Sequence, residues 1–217
     1  FRPGVIERMG LGEEQLRKVA PNLVMVSISG FGDTGPYSQR PVYDPLIQGL
    51  SGLATVQAGA DELRPQLVRT ILPDKLTGVT AAQAITAALF ARERTGESQH
   101  VRLSMLDAII AFLWSSDMGS QTFVHSEVPQ QEAASLQDLI YETTTGYITI
   151  AVQSDREWQA LIRAVDRPEW AEDPRFQTAR LRQENIDARL ELIQSVIKTD
   201  TAEHWLARLE AEQVPCA

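Results

Sequence analysis

The chain has 217 residues, a net charge of −9, and 43% apolar and 23% charged residues. That is the mix of an ordinary globular chain with room for one large domain or two small ones. Its acidic balance excludes the basic footprint with which generic nucleic-acid binders displace counterions, although a few placed arginines can still hold a phosphate.

Cys216 is the only cysteine, so no disulfide forms within the chain, which fits a reducing cytoplasm. Near the chain end it reads as a plain small residue, because nothing nearby in sequence would lower its pKa. The longest apolar run, Ala108 to Trp114, is far too short to span a bilayer, and no membrane association is expected. The chain opens on Phe1-Arg2-Pro3-Gly4 and closes on Val214-Pro215-Cys216-Ala217, which reads as a piece of a longer protein.

In chain order, residues 13–19 form a helix with Glu13 and Glu14 at its start and Arg17 and Lys18 near its end, as the helix dipole favours. The β-branched run from Leu23 to Ile28 predicts a buried strand, and the helix-then-strand order suggests an α/β layer. Gly30-Phe31-Gly32-Asp33-Thr34-Gly35 is a literal G-x-G-x-x-G after that strand. A dinucleotide fingerprint needs a helix to open there. Pro36, Pro41 and Pro45 oppose one, so Ser29 to Pro45 is expected to be a glycine loop.

Val68 to Leu72 predicts a strand closed by Pro73-Asp74, and Lys75 to Arg94 a helix full of alanines, apolar nearly all round and therefore buried, ended by Thr95-Gly96. Val101, Leu103 and Met105 alternate with polar residues at strand period, and Leu106 to Trp114 predicts another buried helix.

The character changes after about Asp117. Residues 119–135 are expected to be a linker between a first domain, residues 1–118, and a smaller one, residues 136–217. In the smaller one, Tyr147 to Val152 predicts a strand and Ser154 to Glu157 a capping box. Helical stripes follow at Trp158, Leu161, Ile162 and Val165, at Ile186 to Ile197 behind Asn185, and at Ala202, Trp205, Leu206 and Leu209.

Among residues able to carry chemistry, Asp74 stands out at the junction of a predicted strand and helix. As an N-cap it would be structural. A carboxylate there also faces partial positive charge and free backbone N–H groups, which suits a nucleophile, and the two roles are compatible. Arg2, Arg8 and Arg40 flank Gly- and Pro-rich loops. Each alone is a solvated arginine; together they could bind phosphates. His100, His125 and His204 have no partner at ligand spacing, so no metal site is expected. Neither a Ser–His–Asp arrangement nor a G-x-S-x-G elbow can be read from the sequence.

Several segments resemble the family III CoA-transferases, the group that includes formyl-CoA transferase, carnitine CoA-transferase and α-methylacyl-CoA racemase. They are FRPGVIERMGLG, VSISGFGDTGPY with RPVYDPLIQGLSG, the long stretch from LPDKLTGVTAAQ to RLSMLDA, WAEDPRF and the terminal VPC. Their joint order is specific although each alone is weak.

The resemblance implies an α/β enzyme: part of a Rossmann-like large domain with a parallel sheet that binds CoA, plus a smaller α+β domain. It puts the catalytic aspartate at Asp74, Phe1, Arg2 and Arg8 against the nucleotide part of CoA, and Arg40, Pro41, Val42, Tyr43 and Asp44 along the adenine and ribose pocket. It implies CoA transfer between carboxylic acids through an aspartyl anhydride and an aspartyl-CoA thioester. Acyl-CoA and an acid acceptor are the substrates, no cofactor is tightly bound, and full-length relatives form interlocked homodimers.

The chain departs from the family pattern in two places. The position matching the racemase histidine is Tyr43, which disfavours two-base racemisation, the alternative activity. Residues 120–135 hold no glycine, unlike the lid of several transferases. A second alternative is a truncated member that folds and self-associates without catalysis.

Overall fold

The computed structural model describes residues 2–59, 63–118 and 139–217. The chain divides into two compact units, Phe1–Ser135 and Leu136–Ala217. The segment read as a linker, with His125, lies outside the described residues.

In the first unit, α1 (Val5–Arg8) and α2 (Glu13–Val19) precede β1 (Met25–Ser29). Then come α3 (Asp44–Leu50), α4 (Leu53–Ala58), α5 (Leu72–Thr95), β2 (His100–Ser104) and α6 (Met105–Trp114). β1 and β2 pair in parallel, Met25 opposite His100 through to Ser29 opposite Ser104. A parallel pair needs a long crossover, and α3 to α5 form it. The core of this unit joins Ile47, Leu53, Ile109 and Leu113, with Val42, Leu72 and Met105 packed against it.

Three expectations fail here. Val68 to Leu72 is not a strand. The backbone of this segment is satisfied by a side chain instead: the Val68 N–H donates to Oε1 of Gln48 at 2.8 Å, and Nε2 of Gln48 donates to the Thr70 carbonyl at 3.1 Å. Leu72 already belongs to α5, because Pro73 suits the first turn of a helix, where its missing N–H is not needed. Pro45 does the same for α3 and so starts a helix instead of preventing one.

Nor is α5 buried all round. It buries Pro73, Thr77, Ala81 and Ala88, a single stripe at helical spacing, and leaves Val79 and Phe90 exposed. The alanines that suggested burial are small enough for close packing on that one side. The helix ends as expected, with Gly96 left-handed at φ 75°. Between β1 and α3 the glycine loop opens no helix.

The second unit holds β3 (Ile140–Thr143) and β4 (Gly146–Thr149), an antiparallel pair, followed by α7 (Asp155–Val165) and a 3₁₀ turn at Pro168–Ala171. α8 (Ala179–Glu184), α9 (Ile186–Ile197) and α10 (Ala202–Ala211) complete it. The predicted strand from Tyr147 to Val152 is shorter than expected, since only Ile150 continues, as an isolated bridge to Cys216. The capping box forms as read: Oγ of Ser154 accepts from the Glu157 N–H at 3.2 Å and the Ser154 N–H donates to Oε2 of Glu157 at 2.9 Å. Trp158, Leu161, Ile162, Val165, Ile193, Ile197, Trp205 and Leu209 bury their side chains in one core. Asn185 does not cap α9 with its side chain; Nδ2 donates back to the Leu181 carbonyl at 2.9 Å instead. The mixture of a parallel α/β unit and a smaller α+β unit is the predicted fold class.

Candidate active site

Among the described residues of the first unit, two adjoining clefts share Arg2, Pro3, Ile28 and Ser29 in their walls. The larger, of ≈ 880 Å³, lies against β1 and α2 and includes Glu7, Glu13, Glu14 and Asp33. The smaller, of ≈ 280 Å³, is lined by Arg2, Arg40, Pro41, Val42 and Tyr43 along with Gly30, Ser38 and Met105, and among the described residues no carboxylate faces it. In a chain of net charge −9, a pocket with two guanidinium groups and no acid favours an anion.

The walls of the smaller cleft follow from local packing. Gly30 lets Val42 approach the end of β1, since a Cβ there would stand 2.0 Å from Cγ1 of Val42. The guanidinium of Arg40 lies over the Tyr37 ring at 3.8 Å from its centroid, which holds it while leaving its edge free to donate. Arg2 donates to the Gln39 carbonyl at 3.3 Å. Arg2, Arg40, Pro41, Val42 and Tyr43 are therefore brought together. Phe1 lies outside the described residues. Arg8 is exposed and lines neither cleft.

Asp44 does not line the cleft. The residue is only 4% exposed, and its carboxylate turns inward, away from the pocket wall that Tyr43 completes. There Oδ2 accepts the N–H of Asp74 at 3.1 Å and Oδ1 accepts Nε2 of Gln48 at 2.6 Å. The physical reason is that Asp44 opens α3, so its side chain faces the neighbouring helix start instead of solvent.

Asp74 sits in the first turn of α5, not at the cap, which is Ile71. Its side chain is exposed, and among the described residues no cation pairs with it. It stands outside both clefts and is tied to the smaller one through Asp44, the residue after Tyr43.

The free amides expected beside it are absent. The Leu72 N–H donates to the Thr70 carbonyl, Pro73 has none, the Asp74 N–H goes to Asp44, and the Lys75 N–H goes to the Ile71 carbonyl. The start of α5 thus offers no donor to a developing oxyanion, and such donors must come from elsewhere.

Sequence reasoning also missed a row of side chains in the larger cleft. Oγ of Ser27 lies 2.8 Å from Nε2 of His100, and Nδ1 of His100 lies 2.7 Å from Oε2 of Glu13. The order is that of a Ser–His–acid relay. Ser27, however, lies in the middle of β1, not on a turn into a helix, and Glu13 is shared with Arg17 and Arg102. The row ties α2 to the sheet. The hydrogen bond with His100 is the main cause that holds the Glu13 carboxyl below its ordinary range, followed by that with Arg17. Burial, then Glu210, pushes the Cys216 thiol up, against any nucleophilic role. No cluster of metal-ligating side chains is found among the described residues.

Fold and site together define a two-unit α/β protein with a cationic cleft beside an exposed, unpaired aspartate. The chain matches CoA-transferase family III from residue 1 to residue 217, and it belongs to that family. It is 33% identical over 221 residues to the acetyl-CoA:oxalate CoA-transferase of Acetobacter aceti, covering 99% of this chain and 56% of the relative. With the formyl-CoA:oxalate CoA-transferase of Streptomyces coelicolor it shares 30% identity over 235 residues, covering 100% of this chain and 57% of the relative. The crystal structure of Rv3272 from Mycobacterium tuberculosis superposes with a TM-score of 0.83 at 29% identity, over 100% of this chain and 58% of that one. A CAIB/BAIF family protein from Brucella suis does so with a TM-score of 0.82 at 30% identity, over the same shares. The chain therefore spans little more than half the length of these relatives. Among the described residues no helix is long and apolar enough to cross a membrane.

Proposed function

We propose that the protein carrying this chain transfers CoA between carboxylic acids and that Asp74 is its nucleophile. The observation that carries the reading is the exposed carboxylate of Asp74, which has no ionic partner among the described residues and is joined through Asp44 to the wall of a cleft that presents two arginines and, among the described residues, no acid.

An acyl-CoA places its phosphates near Arg2 and Arg40 and its adenine and ribose along Pro41, Val42 and Tyr43; Arg8 lines neither described cleft, and a contact from Phe1 rests on the resemblance alone. Asp74 attacks the thioester carbonyl; the C–S bond breaks, CoA leaves as thiolate, and an acyl–aspartyl anhydride forms. The thiolate attacks the aspartyl carbonyl of the anhydride, releasing the first acid and leaving an aspartyl-CoA thioester. The acceptor carboxylate attacks that thioester, and the returning thiolate takes the new acyl group from the second anhydride. Each exchange pairs bonds of similar activation, so no step is steeply uphill. The substrates of the named relatives, oxalate with acetyl-CoA or formyl-CoA, suggest a small acid as acceptor. A homodimer, as the family resemblance implies, is part of the same proposal.

The racemase alternative finds less support, because the position given to an imidazole base holds Tyr43, an exposed side chain in the cleft wall.

The test is to mix the full-length enzyme with acyl-CoA and no acceptor, quench with borohydride or hydroxylamine, and locate the adduct by peptide mass spectrometry. Modification confined to the peptide containing Asp74, and lost in Asp74→Asn, is expected. An equal yield of adduct in Asp74→Asn would remove the nucleophile.

A further inference from the structure

We propose that Asp44 is a positioning residue for Asp74. The proposal rests on the reading of Asp74 as the nucleophile.

A helix start leaves its first N–H groups without intrahelical partners, and a nearby side chain normally takes one of them. The residue at the cap of α5, Ile71, has no side chain able to do so. Its place is taken from another element. Asp44, at the start of α3, accepts the N–H of Asp74 itself.

Asp44 is in turn fixed by Gln48, one turn along the same helix and 2% exposed. The amide of Gln48 is spent in both directions. Its nitrogen serves Asp44 and the Thr70 carbonyl, and its oxygen takes the Val68 N–H. The result is a buried polar bracket that runs from α3 to the segment entering α5 and ends on the backbone of the proposed nucleophile.

Burying a carboxylate is costly unless it is hydrogen-bonded, and here each oxygen has a donor. Such a group is rigid, and rigidity is what a nucleophile requires, since misplacement by about 1 Å can cost about 100-fold in rate. The bracket leaves the Asp74 side chain free while pinning its main chain. Because Asp44 directly follows Tyr43, it also sets the nucleophile relative to the cleft wall. A carboxylate touching neither substrate nor cleft thereby acts on the reaction through another residue.

The test compares wild type, Asp44→Asn, Asp44→Ala and Asp74→Asn in the full-length enzyme. Free CoA binding is measured by calorimetry, and the rate of the Asp74 adduct by rapid quench with acyl-CoA alone. Asp44→Asn keeps size and one acceptor oxygen, so it folds even if Asp44→Ala does not. The expected result is CoA affinity within about twofold of wild type in both Asp44 variants, with KM for acyl-CoA likewise steady. Adduct formation falls about 100-fold in Asp44→Ala and by less in Asp44→Asn. Adduct formation at the wild-type rate in Asp44→Asn and Asp44→Ala, or a loss of CoA affinity that accounts for the slower rate, would overturn the positioning role while leaving the nucleophile standing. Adduct formation in Asp74→Asn would overturn the nucleophile and the bracket's purpose with it.

Discussion

Replacing Gly30 by alanine would put a methyl group 2.0 Å from Cγ1 of Val42, 2.9 Å from its Cβ and 3.3 Å from its Cγ2. Ordinary contact begins near 3.4 Å, so Val42 or the end of β1 must give way. Neither moves readily. The Gly30 carbonyl accepts the Leu106 N–H at 3.1 Å, which anchors it to the start of α6, and Val42 packs against the core around Ile47 and Ile109. A β-branched side chain has little rotamer freedom with which to escape. Overpacking of this kind costs about 1–3 kcal/mol. Pro41, Val42 and Tyr43 form one wall of the cationic cleft, so if CoA binds there as proposed, displacement of that wall should also weaken CoA binding. The assay is a double-mutant cycle with Val42→Ala, read by denaturant unfolding and by calorimetry with CoA. Val42→Ala removes the contacts at 2.0 and 3.3 Å and keeps the one at 2.9 Å. The double variant should therefore recover part of the loss, with a coupling of about 0.5–3 kcal/mol. If Gly30→Ala is as stable as wild type, or if the two changes simply add, the close approach is not what shapes this wall.

Leu161 is fully buried in the core of the second unit, so Leu161→Ala should cost about 2–5 kcal/mol in chemical unfolding of that unit. Arg182 is 1% exposed; it bonds the Phe176 carbonyl at 2.9 Å and Asp155, and its Nε has no partner among the described residues. Because an apolar chain of similar length fills the same space, Arg182→Met should cost less than Arg182→Ala, and thermal unfolding of the pair would show the order. The Glu13 carboxyl is held below its ordinary range, mainly by its hydrogen bond with His100. The stability this contributes is present above the ordinary carboxylate pKa and is lost as pH falls through the lowered folded value. Glu13→Gln should therefore flatten the acid side of the stability profile of the first unit and leave its neutral side nearly parallel to wild type.

The parts of the fold legible in the sequence were those in which local pattern and tertiary structure agree. The capping box at Ser154, the stripe from Trp158 to Val165 and Gly96 past the end of α5 needed no distant partner to be recognised. The segment Val68 to Leu72 misled because its β-branched residues match a strand, while its hydrogen bonds come from Gln48, 20 residues earlier. No local pattern announces a glutamine that caps a loop. The site shows the same division. Of the three arginines singled out beside Gly- and Pro-rich loops, Arg2 and Arg40 line one cleft and Arg8 lines neither. The inward turn of Asp44, its grip on the amide of Asp74, and the row from Ser27 through His100 to Glu13 span 30 or more residues and exist only once the chain has folded.

The central claim is that an oxygen of Asp74 enters and leaves the acyl groups being exchanged. Turnover of the full-length enzyme with acyl-CoA and an acceptor acid labelled with ¹⁸O tests this directly. When the acceptor attacks the aspartyl-CoA thioester, one of its oxygens bridges the second anhydride, and the returning thiolate leaves that oxygen on Asp74. The account predicts a heavier Asp74 peptide after turnover and an unlabelled one when acyl-CoA is omitted. Turnover with no label in that peptide, or with label in a different carboxylate, would contradict it.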